Sequence, residues 1–367
     1  MLSWKTAVSQ LLFLSSLAMA QTTNTVFGIL PGGSVVDAYT LHSSDVELRI
    51  ITFGARVVSL KTKDRKGQFG DVALGYSSLD PYVNNKNTYF GATVGRYANR
   101  IAQGHILLNG KVFQTALNNK GVNTLHGGSE GFDRRNWKAK LIPDGVELTL
   151  VSPDGDQGFP GTLTAHVRYT LHRNVVRIEY VATTDRPTVV NLTNHTYFNI
   201  AGEGNGSILG LRLTLYADNY TPVNDAMVPT GEVASVAGTP YDFTREGVIG
   251  EHVAQDDAQL KRIGGFDHNW VLRGPAGTLR PAARLFDPVS GRILLIRTTE
   301  PGLQFNSGQY FDGPLIGKSG VVYGKFSGLA LETQHYPDSP NHKDFPSTEL
   351  QPGAQYHSIT TWTLTAQ

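Results

Sequence analysis

Runs of alternating apolar and polar residues, each closed by a turn-forming pair, extend along this chain almost from end to end. Between Val167 and Leu171 every second residue is apolar. Arg173-Asn174 then marks a turn, and the period of two resumes at Val176. Alternate side chains of a strand point to opposite faces, so this pattern predicts strands that bury one face only. A chain with this pattern is expected to fold into antiparallel β-sheets.

Turn signals and the remaining runs extend the same pattern. The dipeptides Asn109-Gly110 and Asp144-Gly145 each lie between extended runs and predict tight hairpins. Further strand-like runs lie at 46–53, 211–217, 292–299 and 356–366, and helical signals are limited to 77–83 and 244–253. No repeat, linker or change of composition divides the chain, and its 40 glycines suit a turn-rich protein. We therefore predict an all-β fold, a single large antiparallel β-sandwich domain over residues 21–367 with few short helices.

The first twenty residues have the three parts of an export signal. Lys5 supplies a positively charged n-region, and a short apolar run follows it. Ala18-Met19-Ala20 matches an A-x-A cleavage site. We predict a signal peptide over residues 1–20, cleaved after Ala20, and a secreted or extracytoplasmic protein. A buried N-terminal helix is the alternative. The apolar run is shorter than a bilayer-spanning helix needs, so no membrane partner is expected once the signal is removed.

The charge balance and the missing residue types exclude several functions. The chain has 32 basic and 31 acidic residues, a net charge of +1, which gives no field for binding nucleic acid or an anionic membrane. It has no cysteine, which excludes disulfides and a thiolate nucleophile. No G-x-S-x-G elbow, phosphate loop or dinucleotide fingerprint is present. The expected partner is a small uncharged molecule, and the expected assembly is a monomer or a weak dimer.

N-glycosylation sequons begin at Asn191, Asn194, Asn205 and Asn219. The first two lie in the strand of a candidate catalytic histidine, where a glycan would block chemistry. Asn205, in the polar segment EGNGS, is the expected acceptor in a eukaryotic host.

Two histidines and one glutamate stand out because each lies in an unusual local sequence. His126 precedes a glycine pair in NTLHGGSEGFD, and His195 lies among amides in NLTNHTYFNIAG. Glu332 ends the apolar run of GLALETQHYPD. Two imidazoles and a carboxylate transfer protons in both directions near neutral pH, so the set predicts acid/base chemistry. Each also has a plain structural interpretation: a turn histidine, a solvated polar strand, and a buried carboxylate paired with an arginine.

Neighbouring residues suit a polyhydroxylated ligand. In an extended strand His195, Tyr197 and Asn199 would share one face, which would present an imidazole, a phenol and an amide. Asp267, in GGFDHNW, would accept hydrogen bonds from hydroxyl groups, with His268 on the opposite face of its strand.

Two alternatives concern the surroundings of Glu332. The segment GRYANR contains two guanidinium groups, and either Arg100 or Arg96 could pair with Glu332 or bridge vicinal hydroxyls. His126, His195 and Glu332 would also form a zinc triad, but no close pair of metal ligands occurs in the sequence. We therefore expect no metal.

An ordered set of eight motifs resembles the aldose 1-epimerase (mutarotase) family. The set is DVALGY, YFGATVGRYANRIAQG, NTLHGGSEGFD, NLTNHTYFNIAG, GGFDHNW, PGLQFNSG, LALETQHYPDSPNH and the FPS…LQPG tail. It extends from residue 27 to residue 364. The resemblance implies a large β-sandwich of the galactose mutarotase-like, supersandwich type, with a sugar cleft on one face.

The resemblance also implies a role for each site residue. Glu332 would be the general base and His195 the general acid, and no cofactor would be needed. Sugar hydroxyls would be bound by Asn99, Arg100, His126, Asp267 and Gln304. The implied reaction opens a free aldohexose such as glucose or galactose at C1 and closes it on the other face, which interconverts the α and β anomers.

Two other functions stay open at the level of sequence. A secreted glycoside hydrolase would use Glu332 and Asp267 as its carboxyl pair. A non-catalytic sugar-binding domain would bind a monosaccharide without needing either proton carrier.

Overall fold

The computed structural model describes residues 21–85 and 88–367. The predicted signal peptide, residues 1–20, lies outside the described residues. β-Strands dominate the described part of the chain, and each of its α-helices has six residues or fewer. None of these helices is long and apolar enough to cross a membrane.

The strands alternate with short turns along the whole described chain. In chain order they are β1 Gln21–Ile29, β2 Val35–His42, β3 Val46–Ile51, β4 Arg56–Lys63, β5 Phe69–Asp71, β6 Ala92–Val94, β7 Arg100–Ile101, β8 His105–Leu108, β9 Lys111–Gln114, β10 Thr124–Leu125, β11 Lys138–Ile142, β12 Gly145–Ser152, β13 Leu163–His172, β14 Val175–Thr184 and β15 Thr188–Val189. They continue with β16 Thr193–His195, β17 Tyr197–Phe198, β18 Arg212–Leu215, β19 Ala217–Thr221, β20 Ala234–Ser235, β21 Gly247–Val248, β22 Asp267–Leu272, β23 Arg280–Phe286, β24 Arg292–Thr298, β25 Gly302–Asn306, β26 Leu315–Ile316, β27 Val322–Tyr323, β28 Leu329–Gln334, β29 Glu349–Leu350 and β30 Tyr356–Ala366. The helices are α1 Leu79–Asn84, α2 Ile249–Val253 and α3 Ala258–Ile263.

Most of these strands belong to three antiparallel sheets. Within the described residues, the largest has nine strands in the order β11-β12-β13-β14-β30-β24-β23-β18-β21. A six-stranded sheet has the order β17-β28-β25-β22-β19-β20, and a five-stranded sheet has the order β1-β2-β3-β4-β5. Neighbouring strands pair antiparallel, as in β13 with β14 and β25 with β28.

The sheets share one hydrophobic core. Phe198 of β17 packs against Trp362 of β30 with ring centroids 5.1 Å apart, so the six-stranded and nine-stranded sheets meet face to face. The same cluster of buried side chains contains Leu48 of β3, Tyr169 of β13 and Phe305 of β25. Burial alternates along β13, as the period of two predicts. The prediction of a large antiparallel all-β sandwich is confirmed.

Both predicted hairpins form. Asn109 and Gly110 have φ of 51° and 75°, and they join β8 to β9 in a tight turn. Positive φ at both central residues is what a two-residue hairpin of type I′ requires, and asparagine and glycine tolerate it. At the second hairpin Asp144 has φ of 56° and Ile142 pairs with Gly145, so the glycine is already part of β12.

The helices differ from the prediction in detail. Ser78 occupies the N-cap position of α1, but its side chain makes no capping hydrogen bond. The predicted helix at 244–253 is reduced to α2. Helix α3 was not predicted, although Asp257 is a standard N-cap residue whose carboxylate accepts the N–H groups of Gln259 and Leu260.

Candidate active site

A cavity of about 460 Å³ opens at one end of the six-stranded sheet, and six of the seven predicted site residues line it. This volume is in the range of small-molecule sites. The predicted residues at its surface are Asn99, Arg100, His126, His195, Asp267 and Glu332. Gln304 lies outside the lining, one strand away from Glu332.

The two predicted proton carriers come from different sheets and face each other. Glu332 lies within β28, where it pairs with Gln304 of β25. His195 ends β16, a short strand that pairs with β6. His195 Nε2 lies 3.4 Å from Glu332 Oε1, and only 3% of His195 and 1% of Glu332 is exposed. A single bound hydroxylated molecule could therefore contact both groups.

The strand that carries His195 is interrupted directly after it. The side-chain oxygen of Asn194 accepts the backbone N–H and the hydroxyl of Thr196, at 2.9 and 2.6 Å, and so replaces a ladder partner. The chain then enters β17 of another sheet. His195 and Tyr197 both line the cavity, but Asn199 donates instead to backbone carbonyls outside the cavity. The prediction that all three share one face is therefore wrong for Asn199.

A two-stranded ribbon places the next pair of residues. β7 pairs with β10, and Asn99 and His126 are the residues at its end nearest the cavity. Their φ values are 64° and 52°, a left-handed conformation in which asparagine and histidine are enriched. The His126 N–H donates to the Asn99 carbonyl at 3.0 Å, and the Asn99 N–H donates to His126 Nδ1 at 3.2 Å. These reciprocal bonds fix the imidazole of His126.

Asp267, at the start of β22, accepts contacts from three sides. Arg100 Nη1 lies 3.7 Å from its Oδ2, and the hydroxyl of Tyr310 donates to the same oxygen at 3.2 Å. Gln304 Nε2 donates to Oδ1 at 2.8 Å. Gln304 therefore orients Asp267 from behind, and its role as a direct sugar ligand remains a prediction.

Burial shifts the pKa values of the facing pair in opposite directions. Desolvation raises the pKa of Glu332 well above its usual value; the charge of Asp267 adds to this and that of Arg100 opposes it. Desolvation lowers the pKa of His195 to about 4. Burial thus favours the neutral acid of Glu332 and the neutral imidazole of His195, whereas a general base and a general acid in the predicted roles are a carboxylate and an imidazolium. The neutral pair and the ionised pair hold the same number of protons, so they differ only in which residue carries the shared proton.

The arrangement tests the zinc alternative directly. Donor atoms of His126, His195 and Glu332 lie within 4.8 Å of one another, so their separation in sequence is no obstacle to a metal. Nδ1 of His126, however, accepts the N–H of Asn99, and burial keeps this ring neutral by lowering its pKa. The ring proton is then on Nε2, so neither nitrogen has a free lone pair. The set fits a hydrogen-bonding site better than a zinc site.

Arg96 lies away from the cavity. Its guanidinium donates to the carbonyl oxygens of Pro160 at 2.9 Å and Gly161 at 2.8 Å. The alternative in which Arg96 pairs with Glu332 is therefore wrong, and the arginine that lines the cavity is Arg100.

One buried amide ties together the chain segments that carry the site. Asn191 Nδ2 donates to the carbonyls of Ala98 at 3.3 Å and His335 at 3.2 Å, and its oxygen accepts the His335 N–H at 3.0 Å. Asn191 precedes His195 by four residues, and His335 follows Glu332 by three. The side chain therefore links the segments of both predicted proton carriers to the segment that leads into the β7–β10 ribbon.

The cavity lining includes further polar residues, among them Tyr89, Asn306 and Tyr310. The ring of Tyr89 packs against His126 and His195, with centroids 4.6 and 5.7 Å away. Tyr89 and Asn306 belong to motifs noted in the sequence, which was the available signal. Tyr310 lies in an irregular segment outside every motif, and nothing in the sequence distinguished it.

Comparison with known proteins decides the family. The sequence model of the family described as aldose 1-epimerase matches residues 37–363 of this chain. The chain belongs to the aldose 1-epimerase family. The resemblance seen in its motifs is thus confirmed over nearly the whole described chain.

Individual members of the aldose 1-epimerase family agree. Galactose mutarotase from Bos taurus is 44% identical over 345 residues, which cover 94% of this chain and 98% of that protein. Aldose 1-epimerase from Escherichia coli (strain K12) is 37% identical over 345 residues, which cover 92% of this chain and 98% of that protein. The crystal structure of galactose 1-epimerase from Lactobacillus acidophilus superposes with a TM-score of 0.82 at 28% identity, covering 95% of this chain and 99% of that one.

Proposed function

We propose that this protein is an aldose 1-epimerase that interconverts the α and β anomers of free aldohexoses such as glucose and galactose. The observation that carries the proposal is the buried pair of His195 Nε2 and Glu332 Oε1, 3.4 Å apart at the wall of a sugar-sized cavity. Membership of the family and relatives named galactose mutarotase and aldose 1-epimerase support it.

The reaction needs two proton transfers and one bond cleavage. Glu332 as carboxylate takes the proton of the C1 hydroxyl while His195 as imidazolium gives a proton to the ring oxygen. The C1–O5 bond breaks with its electron pair going to O5, and C1 becomes an aldehyde. Rotation about C1–C2 and closure on the other face return both protons. Each group acts once as acid and once as base.

The neighbouring charges act on the ionised pair in both directions. Against the larger effect of burial, the charge of Asp267 raises the pKa of His195 and so favours the imidazolium. The same charge also raises the pKa of Glu332, whereas the charge of Arg100 lowers it and favours the carboxylate. Moving one proton from Glu332 to His195 therefore creates the active form without any exchange with solvent.

Polarimetry on freshly dissolved α-glucose and α-galactose tests the proposal. We expect the optical rotation to reach equilibrium faster with the protein than without it, with no change in the equilibrium value. Incubation with a nitrophenyl galactoside is the matched test for hydrolysis. Release of nitrophenol without faster mutarotation would favour the glycoside hydrolase, and tight sugar binding with neither activity would favour a binding domain.

The activity is expected to depend on pH at both ends of the range. The pair works while it holds one proton, so kcat/KM should be level between the lowered pKa of His195 and the raised pKa of Glu332. Below about 4 His195 gains a proton and the site loses its base. Above the raised pKa of Glu332 the site loses its acid. Initial rates across pH, corrected for uncatalysed mutarotation, give the profile; an acid limb at the usual histidine value near 6.5 would contradict it.

We also propose that the protein is exported, supported by the basic, apolar and small-residue parts of residues 1–20. Expression of the full chain in a host with a secretory pathway should release a protein that begins at Gln21, as read by N-terminal sequencing. Replacing Ala18 and Ala20 by leucine should block the cleavage. Recovery of the wild-type chain inside the cell with Met1 retained would contradict export.

A further inference from the structure

A layer of buried amides lies beside and behind Glu332 on the six-stranded sheet. Gln304 pairs with Glu332 and with Asn269, and Gly302 pairs with Gln334, so these side chains share one face of three adjacent strands. Asn269 is 1% exposed, Gln304 2% and Gln334 0%. None of the three amides lines the sugar cavity. They therefore form an interior polar layer behind the base.

An unusual number of polar atoms in this layer lack a partner. Within the described part of the chain, no hydrogen bond reaches Asn269 Oδ1, Gln304 Oε1, Glu332 Oε2 or either amide atom of Gln334. Native proteins leave few buried polar atoms unpaired, and a group of them on neighbouring strands requires an explanation. Flipping the amide of Gln334 does not help, because both of its ends are unpaired.

A glycine lets the side chain of Asn269 lie close against the backbone of β25. A Cβ at Gly302 would collide with Asn269 Oδ1 and would come within 2.9 Å of the ring of Tyr336. Because Gly302 has no side chain, the Asn269 side chain can lie over Gly302, the residue that pairs with Gln334 on the next strand. The unpaired donors and acceptors are thus gathered around one polar interior region, which is the kind of place that holds ordered water.

We propose that a cluster of buried water molecules binds between Asn269, Gln304 and Gln334 and donates a hydrogen bond to Glu332 Oε2. Water supplies both the donors that the carboxyl and amide oxygens need and the acceptor that Gln334 Nε2 needs. It holds one oxygen of Glu332 from behind and leaves the other facing His195. Gln334 and Asn269 are then positioning residues for the base. This role rests on the proposed function, whereas the water site does not.

A crystal structure of the wild-type protein at about 1.2 Å resolution tests the site without any variant. We expect ordered water within about 2.7–3.2 Å of Glu332 Oε2 and of both amide atoms of Gln334. Amides that pair with one another and a dry interior would overturn the proposal. Because this result needs no activity, it is separate from the fate of the proposed function.

A pair of variants on one strand tests the positioning role. Gln334→Leu removes the polar anchor, and we expect kcat to fall on the order of tenfold to a hundredfold with KM unchanged, because the sugar-binding wall is untouched. Thr333→Val is the control on the opposite face of β28, where the Thr333 hydroxyl bonds that of Thr360 at 2.6 Å. We expect this control to lower thermal stability and to keep kcat. Equal kcat values for both variants would overturn the role of the water in holding Glu332.

Discussion

Replacing Glu332 by glutamine is expected to slow catalysed anomer exchange by roughly 10²–10⁴-fold, the usual cost of removing a general acid or base. Glutamine has the same shape and cannot accept the C1 proton or return it. No group of the described residues bonds Glu332 Oε2, and water can bond an amide as well as a carboxyl group, so little of the surroundings is disturbed. Polarimetric rates on α-galactose, corrected for the uncatalysed reaction, measure the loss.

The same substitution is expected to raise thermal stability. The pKa of Glu332 is higher in the folded than in the unfolded chain, so its stabilising contribution is complete only below the unfolded value near 4.3 and is lost as pH rises toward the folded value. At neutral pH glutamine avoids this loss. Each kcal/mol gained in the free energy of unfolding raises Tm by about 2–4 °C. A catalytic loss accompanied by a lower Tm would mean that Glu332 has a structural role instead.

Glu300→Gln is the matched control for a buried glutamate. Glu300 is 2% exposed but lies outside the cavity lining. Its two oxygens bond His335 Nδ1 at 2.6 Å and the Tyr356 hydroxyl at 2.8 Å. We expect this control to lose stability, since it disrupts a satisfied network, and to keep its rate within a few fold. The two glutamates should therefore respond in opposite ways.

Replacing His195 by asparagine is expected to cause a loss of similar size, roughly 10²–10⁴-fold, because an asparagine side chain does not titrate and cannot exchange a proton with the ring oxygen. His195 and Glu332 act on the same bond, so the double variant should be hardly slower than either single variant. Single-variant rates that multiply in the double variant would show that the two residues act independently. Sugar binding, followed by calorimetry, should be weakened far less than kcat.

His268→Asn is the control for His195. His268 is also fully buried, and burial likewise lowers its pKa to about 4. Its Nε2 faces Gln259 at 3.3 Å and the residue lies outside the cavity lining. We expect the control to keep its rate. A comparable loss in both variants would indicate that a buried imidazole matters for folding rather than for proton transfer.

Much of the fold and the identity of the site residues could be predicted because their causes are local. Alternation at Val167 to Leu171 reflects which face of β13 is buried, and Asn109-Gly110 reflects a backbone conformation that few other pairs adopt. The histidines could be recognised because short turn-forming and amide-rich segments surround them.

The rest depended on contacts between distant parts of the chain. The strand break after His195 arises because the Thr196 N–H bonds the side-chain oxygen of Asn194 instead of a neighbouring strand, and sequence alternation contains no sign of it. The neutral forms of Glu332 and His195 follow from complete burial, and burial depth is a property of the assembled sheets. Tyr310 reaches Asp267 from an irregular segment whose path has no periodic signal.

The amide of Asn191 has a consequence for how the protein loses activity. One side chain makes hydrogen bonds with the backbone at both Ala98 and His335. We therefore expect the segments around these two residues to unfold together. Amide hydrogen exchange at these two positions should report a common opening free energy. Under mild denaturant the capacity to recognise a sugar and the capacity to turn it over should vanish in the same step, leaving no half-assembled cleft that binds without reacting.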